Sequence, residues 1–184
     1  NKDWDLEFEN IVGNMFKRSN SIVYATEKNK KIFEFLNFKD FHKTFKIYYG
    51  YELQNIKKVE KSLLNIGEEI VVFGMVARGI KEKGWREAVE SIVELNTELE
   101  KKSHLVLVGT GEIIEELKKE TKNIDYIHYI SANSKPFEWI QWVKMFDICL
   151  LPTYFVSESL PNSIIEYLAY SKPVITTNIG DIKH

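Results

Sequence analysis

Three stretches of the chain combine residue types suited to an anionic, hydroxyl-rich ligand. The first is Gly74-Met75-Val76-Ala77-Arg78-Gly79-Ile80-Lys81-Glu82-Lys83-Gly84-Trp85, which leaves a β-branched run and enters a segment of helical period. An anion at the start of that helix meets backbone N–H groups, the positive end of the helix dipole, and the cations Arg78 and Lys83, while the glycines permit close approach. The same residue types also make an ordinary exposed basic loop.

The second stretch, Ser157-Glu158-Ser159-Leu160-Pro161-Asn162-Ser163-Ile164-Ile165-Glu166-Tyr167-Leu168-Ala169-Tyr170, places Pro161 in the first turn of a helix. Spacings of three and four then set Asn162, Ser163 and Glu166 on one face, away from Ile164, Ile165 and Leu168. A carboxylate on that face accepts from a pair of vicinal hydroxyls, and Glu158 in the preceding loop reaches a sugar hydroxyl. The polar stripe of an amphipathic helix has the same composition. The third stretch, Gly109-Thr110-Gly111, opens like a dinucleotide fingerprint, but Ile114 stands where G-x-G-x-x-G has its last glycine, so a tight strand-to-helix turn is the commoner reading.

Other chemistries find few residues. His42, His104, His128 and His184 do not form the spaced pairs that zinc requires, so no metal is expected. Neither a G-x-S-x-G elbow nor G-x-x-x-x-G-K-[ST] occurs. The net charge of -2 provides no field for a polyanion and argues against nucleic acid, and Lys28-Asn29-Lys30-Lys31 reads as a solvated helix face. The single cysteine, Cys149, lies in an apolar run and serves as a buried small hydrophobe, as suits a reducing cytoplasm. No apolar run approaches the roughly 18 residues that span a bilayer, and the opening Asn1-Lys2-Asp3-Trp4-Asp5 does not resemble a signal peptide. The expected location is therefore cytoplasmic, with membrane contact at most peripheral. Trp85 beside Gly84 is a candidate to close over a bound group, whereas Trp139 and Trp142 follow helical spacing and belong to packing.

These residues need a scaffold. With 44% hydrophobic and 28% charged residues over 184 positions, the chain has the make-up of a globular protein. From residue 70 onward β-branched runs alternate with helical segments, the pattern of an α/β, Rossmann-like parallel sheet with helices on both faces. Strands are expected at 70–73, 105–108, 126–130, 148–151 and 173–176, and helices at 85–101, at 113–119, after Pro136 and at 162–170. Upstream, a strand at 21–25, an amphipathic stretch at 31–38 and a strand at 45–49 make a separate unit. The polar, lysine-rich residues 52–69 read as an interdomain connector. The lack of an initiating methionine and an end just after the turn at 179–181 point to a fold incomplete at both ends.

In this order, the stretches resemble the nucleotide-sugar-binding domain of glycosyltransferase family four, the group 1 enzymes built from two Rossmann-like domains (GT-B). Phe73 to Arg78 with Lys83-Gly84 looks like that family's arginine and lysine loop, and Val108-Gly109-Thr110-Gly111-Glu112 looks like its glycine turn. Glu158 to Glu166 is similar to its E-x7-E element, and Ser171 to Thr177 to the strand that follows. Ile22 to Thr26 resembles the last strand of the acceptor-side domain, and Ile47 to Glu52 resembles the variable interdomain motif that usually contains Asn-Gly, with Tyr49 in place of the asparagine. The resemblance implies an acceptor-side tail at 1–52, a linker at 53–69 and a donor domain at 70–184.

It further implies a retaining hexosyltransferase, acting in polysaccharide biosynthesis, that uses a nucleotide-diphosphate sugar and needs no cofactor or metal. Arg78, Lys83 and Glu158 would be catalytic, the cations neutralising the leaving diphosphate and Glu158 meeting the sugar. Gly74, Gly109, Gly111, Leu160, Pro161, Asn162 and Ser163 would contact the donor, Glu166 its ribose, and the backbone of Tyr129 and Ile130 its base. The acceptor would be a glycan or a lipid-linked hydroxyl, and any peripheral membrane contact would run through the missing domain, without which this stretch alone is inactive. Ser159-Leu160-Pro161 stands where Gly-Phe-Gly is common in the family, which narrows the sugar pocket. A non-catalytic partner or chaperone of an active transferase, and a sugar-nucleotide epimerase of the same architecture, are the competing readings.

Overall fold

The computed structural model describes residues 2–133 and 135–183, with side chains from Glu7 onward, so His184 lies outside the described residues. The chain divides into two compact units that meet between Gly50 and Tyr51 in sequence. In the smaller unit, α1 (Lys2–Arg18) leads to β1 (Ile22–Tyr24), α2 (Glu27–Phe35) and β2 (Thr44–Lys46), with β1 and β2 paired in parallel. Helix α2 begins at Glu27 rather than near Lys31 because Thr26 caps it. The Thr26 hydroxyl accepts from the Asn29 N–H at 3.3 Å, and the Asn29 side chain accepts from the Thr26 N–H at 3.3 Å. Phe16, Tyr24, Phe33, Phe38 and Phe41 meet in edge and tilted contacts with centroids 5.4–6.5 Å apart. Helix α1 has no counterpart among the expected elements. Its apolar Phe8, Ile11 and Met15 are exposed in this unit, so no polar outer face marks it.

In the larger unit, β3 (Val72–Val76), β4 (His104–Val108), β5 (Ile127–Ile130), β6 (Ile148–Leu151) and β7 (Val174–Thr176) form one parallel sheet in the order β5-β4-β3-β6-β7. Between them run α3 (Trp85–Glu98), α4 (Glu112–Glu120), α5 (Trp139–Met145) and α6 (Asn162–Ala169). The chain steps outward from β3 to β5, then crosses back to β6 and β7. Right-handed crossovers therefore put α3 and α4 on one face and α5 and α6 on the other. Leu105, Val106, Leu107 and Val108 are fully buried, which is why β4 reads as a continuous apolar run rather than an alternating one.

Strand β3 is shifted from its expected limits. Pairing with β4 carries it through Gly74 and Met75 to Val76, beyond the apolar run from Ile70 to Phe73 that marks it in the sequence. Its start is set by the buried Lys61, whose Nζ donates to the carbonyls of Glu68 (3.1 Å) and Ile70 (2.7 Å) and to Asp147 Oδ2 (2.9 Å). The same Asp147 oxygen accepts from the Val72 N–H at 2.8 Å. Lys61 belongs to the stretch read as a connector, and that stretch packs on the larger unit. Val59 and Ile66 are buried in its core, the Val59 N–H donates to Gln141 O at 3.2 Å, and Gln54 N–H donates to Tyr170 Oη at 3.0 Å. Its few buried residues are spaced too widely among lysines to show a period.

The far end of the sheet from the β3 and β6 exits holds a paired imidazole. His104 Nδ1 and His128 Nε2 lie 2.8 Å apart with their rings nearly parallel, 13° between planes. Burial lowers both pKa values, that of His128 to about 4, with the His104 charge adding to the effect. The unfolded chain takes up protons near 6.5 and the folded chain does not, so this contribution is intact above that pH and is lost as pH falls toward 4. Replacing both histidines with glutamine is expected to make the acid-side loss of stability shallower by about 1–2 kcal/mol, allowing for solvent screening of the partly exposed rings. Denaturant titrations of parent and variant at pH 7 and pH 4 read that difference.

Candidate functional site

In an open α/β sheet the ligand crevice lies beyond the carboxyl ends of adjacent strands whose connections leave in opposite directions. Here those strands are β3 and β6, since β3 leads to β4 on one side and β6 to β7 on the other. The loop after β3 and the loop after β6 enclose a cavity of about 380 Å³ at that place. Arg78, Lys83, Glu158, Leu160, Pro161, Asn162 and Ser163 all line it.

Lys83 and Glu158 are 8% and 7% exposed, and Lys83 Nζ donates to Glu158 Oε2 in a buried ion pair. Two further bonds lace the same loops together. The Tyr154 N–H donates to Glu82 O at 2.8 Å, and the Thr153 hydroxyl lies 3.1 Å from Glu82 O and 3.2 Å from Glu158 Oε2. Arg78 is exposed, and its guanidinium carbon stands 5.9 Å from the centroid of Phe155, with Lys83 Nζ at 5.4 Å from the same ring. The Phe155 ring is thus within cation–π reach of both cations.

Aromatic side chains beneath the cavity hold its walls. Trp85, fully buried, donates its indole N–H to Arg78 O at 2.8 Å, so it supports the arginine loop from below and does not close over a bound group as its position beside Gly84 suggested. The Tyr167 hydroxyl of α6 accepts from the Val76 N–H at 2.7 Å and ties that helix to the end of β3. On the other side of the arginine, a Cβ on Gly79 would come within 2.7 Å of Gly111 Cα, so the turns after β3 and β4 touch backbone to backbone. The turn after β7 braces the Glu158 loop, with the Asp181 N–H donating to Ser159 O at 2.7 Å.

The helix dipole over the cavity comes from α6 and not from α3. Gly84, at φ 84°, is pressed against Pro152, where a Cβ would lie 2.2 Å from the carbonyl oxygen. The α3 terminus is therefore closed off by protein. Helix α6 begins at Asn162 with no side-chain cap, and Asn162 and Ser163 of its first turn face the cavity.

The remaining candidates lie outside the cavity lining. Gly74 sits within β3, where a Cβ would fall 2.1 Å from the ring of Phe146, so its small size serves packing. Gly109 backs onto Trp85, and its N–H donates to Ile130 O at 2.9 Å. Tyr129 turns its hydroxyl to Thr121 Oγ1 at 3.0 Å, leaving only its backbone near the end of β5. A separate cavity of about 290 Å³ follows β5, lined in part by Ala132, Asn133 and Phe137. Glu166 lies further along α6, half-buried, and burial lifts its carboxyl to about 7. Leu168, expected on the apolar side of α6, is 61% exposed. Thr153, Phe155 and Tyr167 position the site and are marked by no spacing in the sequence. Among the described residues, no three or more His, Cys, Asp or Glu side chains gather to hold a metal, and no helix is long and apolar enough to cross a membrane.

The profile of the family described as glycosyl transferases group 1 matches residues 67–184, more than half of the chain. The chain belongs to that family. It is similar to two uncharacterized glycosyltransferases of Methanocaldococcus jannaschii, 27% identical over 172 residues and 25% over 175, and it covers 41% and 44% of their lengths. Its fold is similar to that of a glycosyltransferase from Rickettsia africae, with a TM-score of 0.72 at 18% identity over 95% of this chain and 48% of that one. It is also similar to Anabaena HepE in complex with UDP-glucose, at TM-score 0.68 and 16% identity over 95% and 50%. The parallel sheet of this group 1 chain is thus a GT-B glycosyltransferase half, and the chain spans about half the length of these relatives or less.

Glu166 offers a test of the site's electrostatics. Its folded pKa is raised above the ordinary 4.5, so the folded state gives up stability as pH rises through that value toward 7. Glu166→Gln is expected to stabilise the chain by about 1–2 kcal/mol at pH 8, allowing for solvent screening of the partly exposed carboxylate, and by almost nothing at pH 4. Urea unfolding at the two pH values measures this.

Proposed function

We propose that the chain carries the donor-binding half of a retaining glycosyltransferase that moves a hexose from a nucleotide-diphosphate sugar to a hydroxyl of a glycan or lipid-linked acceptor. One observation carries the reading: two cations and the first turn of α6 converge on one cavity where β3 and β6 diverge. Such a place suits a diphosphate. Backbone amides and a helix dipole meet it from one side, and Arg78 and Lys83 from the other.

The chemistry follows from where charge develops. As the glycosidic bond breaks, negative charge gathers on the departing diphosphate, and preset cations stabilise that state more than the bound donor. Glu158, anchored beside Lys83, accepts from a hydroxyl of the transferred sugar. Glu166 binds the ribose, and its ionised form is the better acceptor for a vicinal diol. The base lies along the backbone of Tyr129 and Ile130. Side-chain cations take the part that a divalent metal plays elsewhere, and the acceptor is held by the other domain of the whole enzyme, in the cytoplasm or at the membrane surface.

Calorimetric titration of the chain with UDP, GDP and ADP is expected to give binding with at least one of them; silence with all would remove the reading. Arg78→Ala and Lys83→Ala should each weaken that binding by about 1.5–3 kcal/mol, the range for hydrogen bonds to charged groups. Unchanged affinity would remove the role assigned to the two cations. With the whole enzyme, NMR of the product anomer decides between retention and inversion.

A further inference from the structure

The two cations of the cavity are held in different ways. Lys83 is buried and paired with Glu158, so the protein itself sets its place. Arg78 is exposed, and its guanidinium makes no hydrogen bond or ion pair among the described residues. An exposed arginine side chain samples many rotamers, and an anion that binds it must gather it into one. The one side chain that meets the guanidinium among the described residues is Phe155, whose ring centroid lies 5.9 Å from Cζ.

The ring is planted by its own backbone. The Phe155 N–H donates to Thr153 Oγ1 at 3.3 Å, Phe155 O accepts from the Glu158 N–H at 2.8 Å, and the neighbouring Tyr154 N–H donates to Glu82 O at 2.8 Å. Residue 155 therefore sits in a turn that ends at Glu158 and is tied to the loop carrying Arg78 and Lys83. Arg78 is restrained at its other end, where Trp85 donates to its carbonyl at 2.8 Å. Attraction to an aromatic face draws on the charge of a guanidinium and uses none of its five N–H donors, which stay available to phosphate oxygens. We infer that Phe155 is a positioning residue for the donor site, holding the Arg78 guanidinium at the cavity by cation–π attraction so that a diphosphate meets it already in place. Lys83 Nζ stands 5.4 Å from the same ring, but its ion pair with Glu158 already fixes it, so the effect of the ring on binding runs through Arg78. The inference rests on the diphosphate reading above and adds to it the group that prepares the exposed cation.

The test is calorimetry on the whole chain with inorganic pyrophosphate, which presents the anion without base or sugar. Phe155→Leu, apolar but without a π face, is expected to weaken binding about three- to five-fold, the upper part of the range for an exposed cation–π contact. Phe155→Tyr, which keeps the face, should stay within about 1.5-fold of the parent. In an Arg78→Ala background the leucine substitution should change binding by no more than about 1.5-fold, because the partner of the ring is gone. Phenylalanine analogues carrying one, two and three ring fluorines at position 155 drain the negative face with little change of shape, and they should weaken binding step by step. A role in packing alone would not follow the fluorine count. Equal losses with and without Arg78 would mean general damage to the loop and would overturn the inference. So would a leucine variant or a fluorine series that binds like the parent, while the diphosphate reading would stand. If the parent itself does not bind pyrophosphate, both fall. Should the leucine variant not fold, the fluorine series, measured with and without Arg78, decides by itself.

Discussion

A buried ammonium and a buried carboxylate hold the two halves of the crevice together, and the surrounding structure is arranged to make that pairing tolerable. Taking both charges out of water costs several kcal/mol per ion, and their attraction repays it only where geometry and extra hydrogen bonds are good. Lys83 meets Glu158 because β3 and β6 are neighbours in the sheet, which sets their following loops face to face. The loops are then laced through Glu82 O, which draws both the Tyr154 amide and the Thr153 hydroxyl. Gly84 lets the chain pass Pro152 closely enough for this to happen.

Around that pair the walls are set before any ligand arrives. Trp85 holds the Arg78 carbonyl from below, Tyr167 holds the end of β3, and the Asp181 amide holds the Ser159 carbonyl. Preset groups need no reorganisation when charge develops, which is where enzymes gain most. On α6, Glu166 is a half-buried carboxylate lifted to about 7, which is a local cost to stability.

The sequence made the main layout legible because its signals were local. Fully buried parallel strands write continuous apolar runs, so β4 and β6 stood out, and Arg78, Lys83, Glu158 and the start of α6 came to one cavity as their order implied. What stayed hidden depends on contacts between distant residues. Strand β3 continues through Gly74 only because β4 pairs with it, and the polar connector packs on the sheet through a lysine that bonds carbonyls and Asp147. A threonine after Leu151-Pro152 carries no period and no motif, so its place between Glu82 and Glu158 emerges only from coordinates. The dipole expected from α3 is absent from the cavity for a related reason. Whether a helix start is open depends on what packs against it, and Pro152 covers that of α3.

The strand order has a consequence for synthesis. The central strand β3 gains its first neighbour, β4, soon after it emerges from the ribosome, but its second, β6, comes from residues more than seventy positions later. Until then one side of the innermost strand is an unpaired edge, a template for pairing with the wrong chain. The crevice exists only where those two strands lie side by side, so the nascent protein has no place for its ligand until nearly all of this sequence has left the exit tunnel. Any ligand of that crevice can therefore steady the finished domain, but it cannot guide the early steps of its folding.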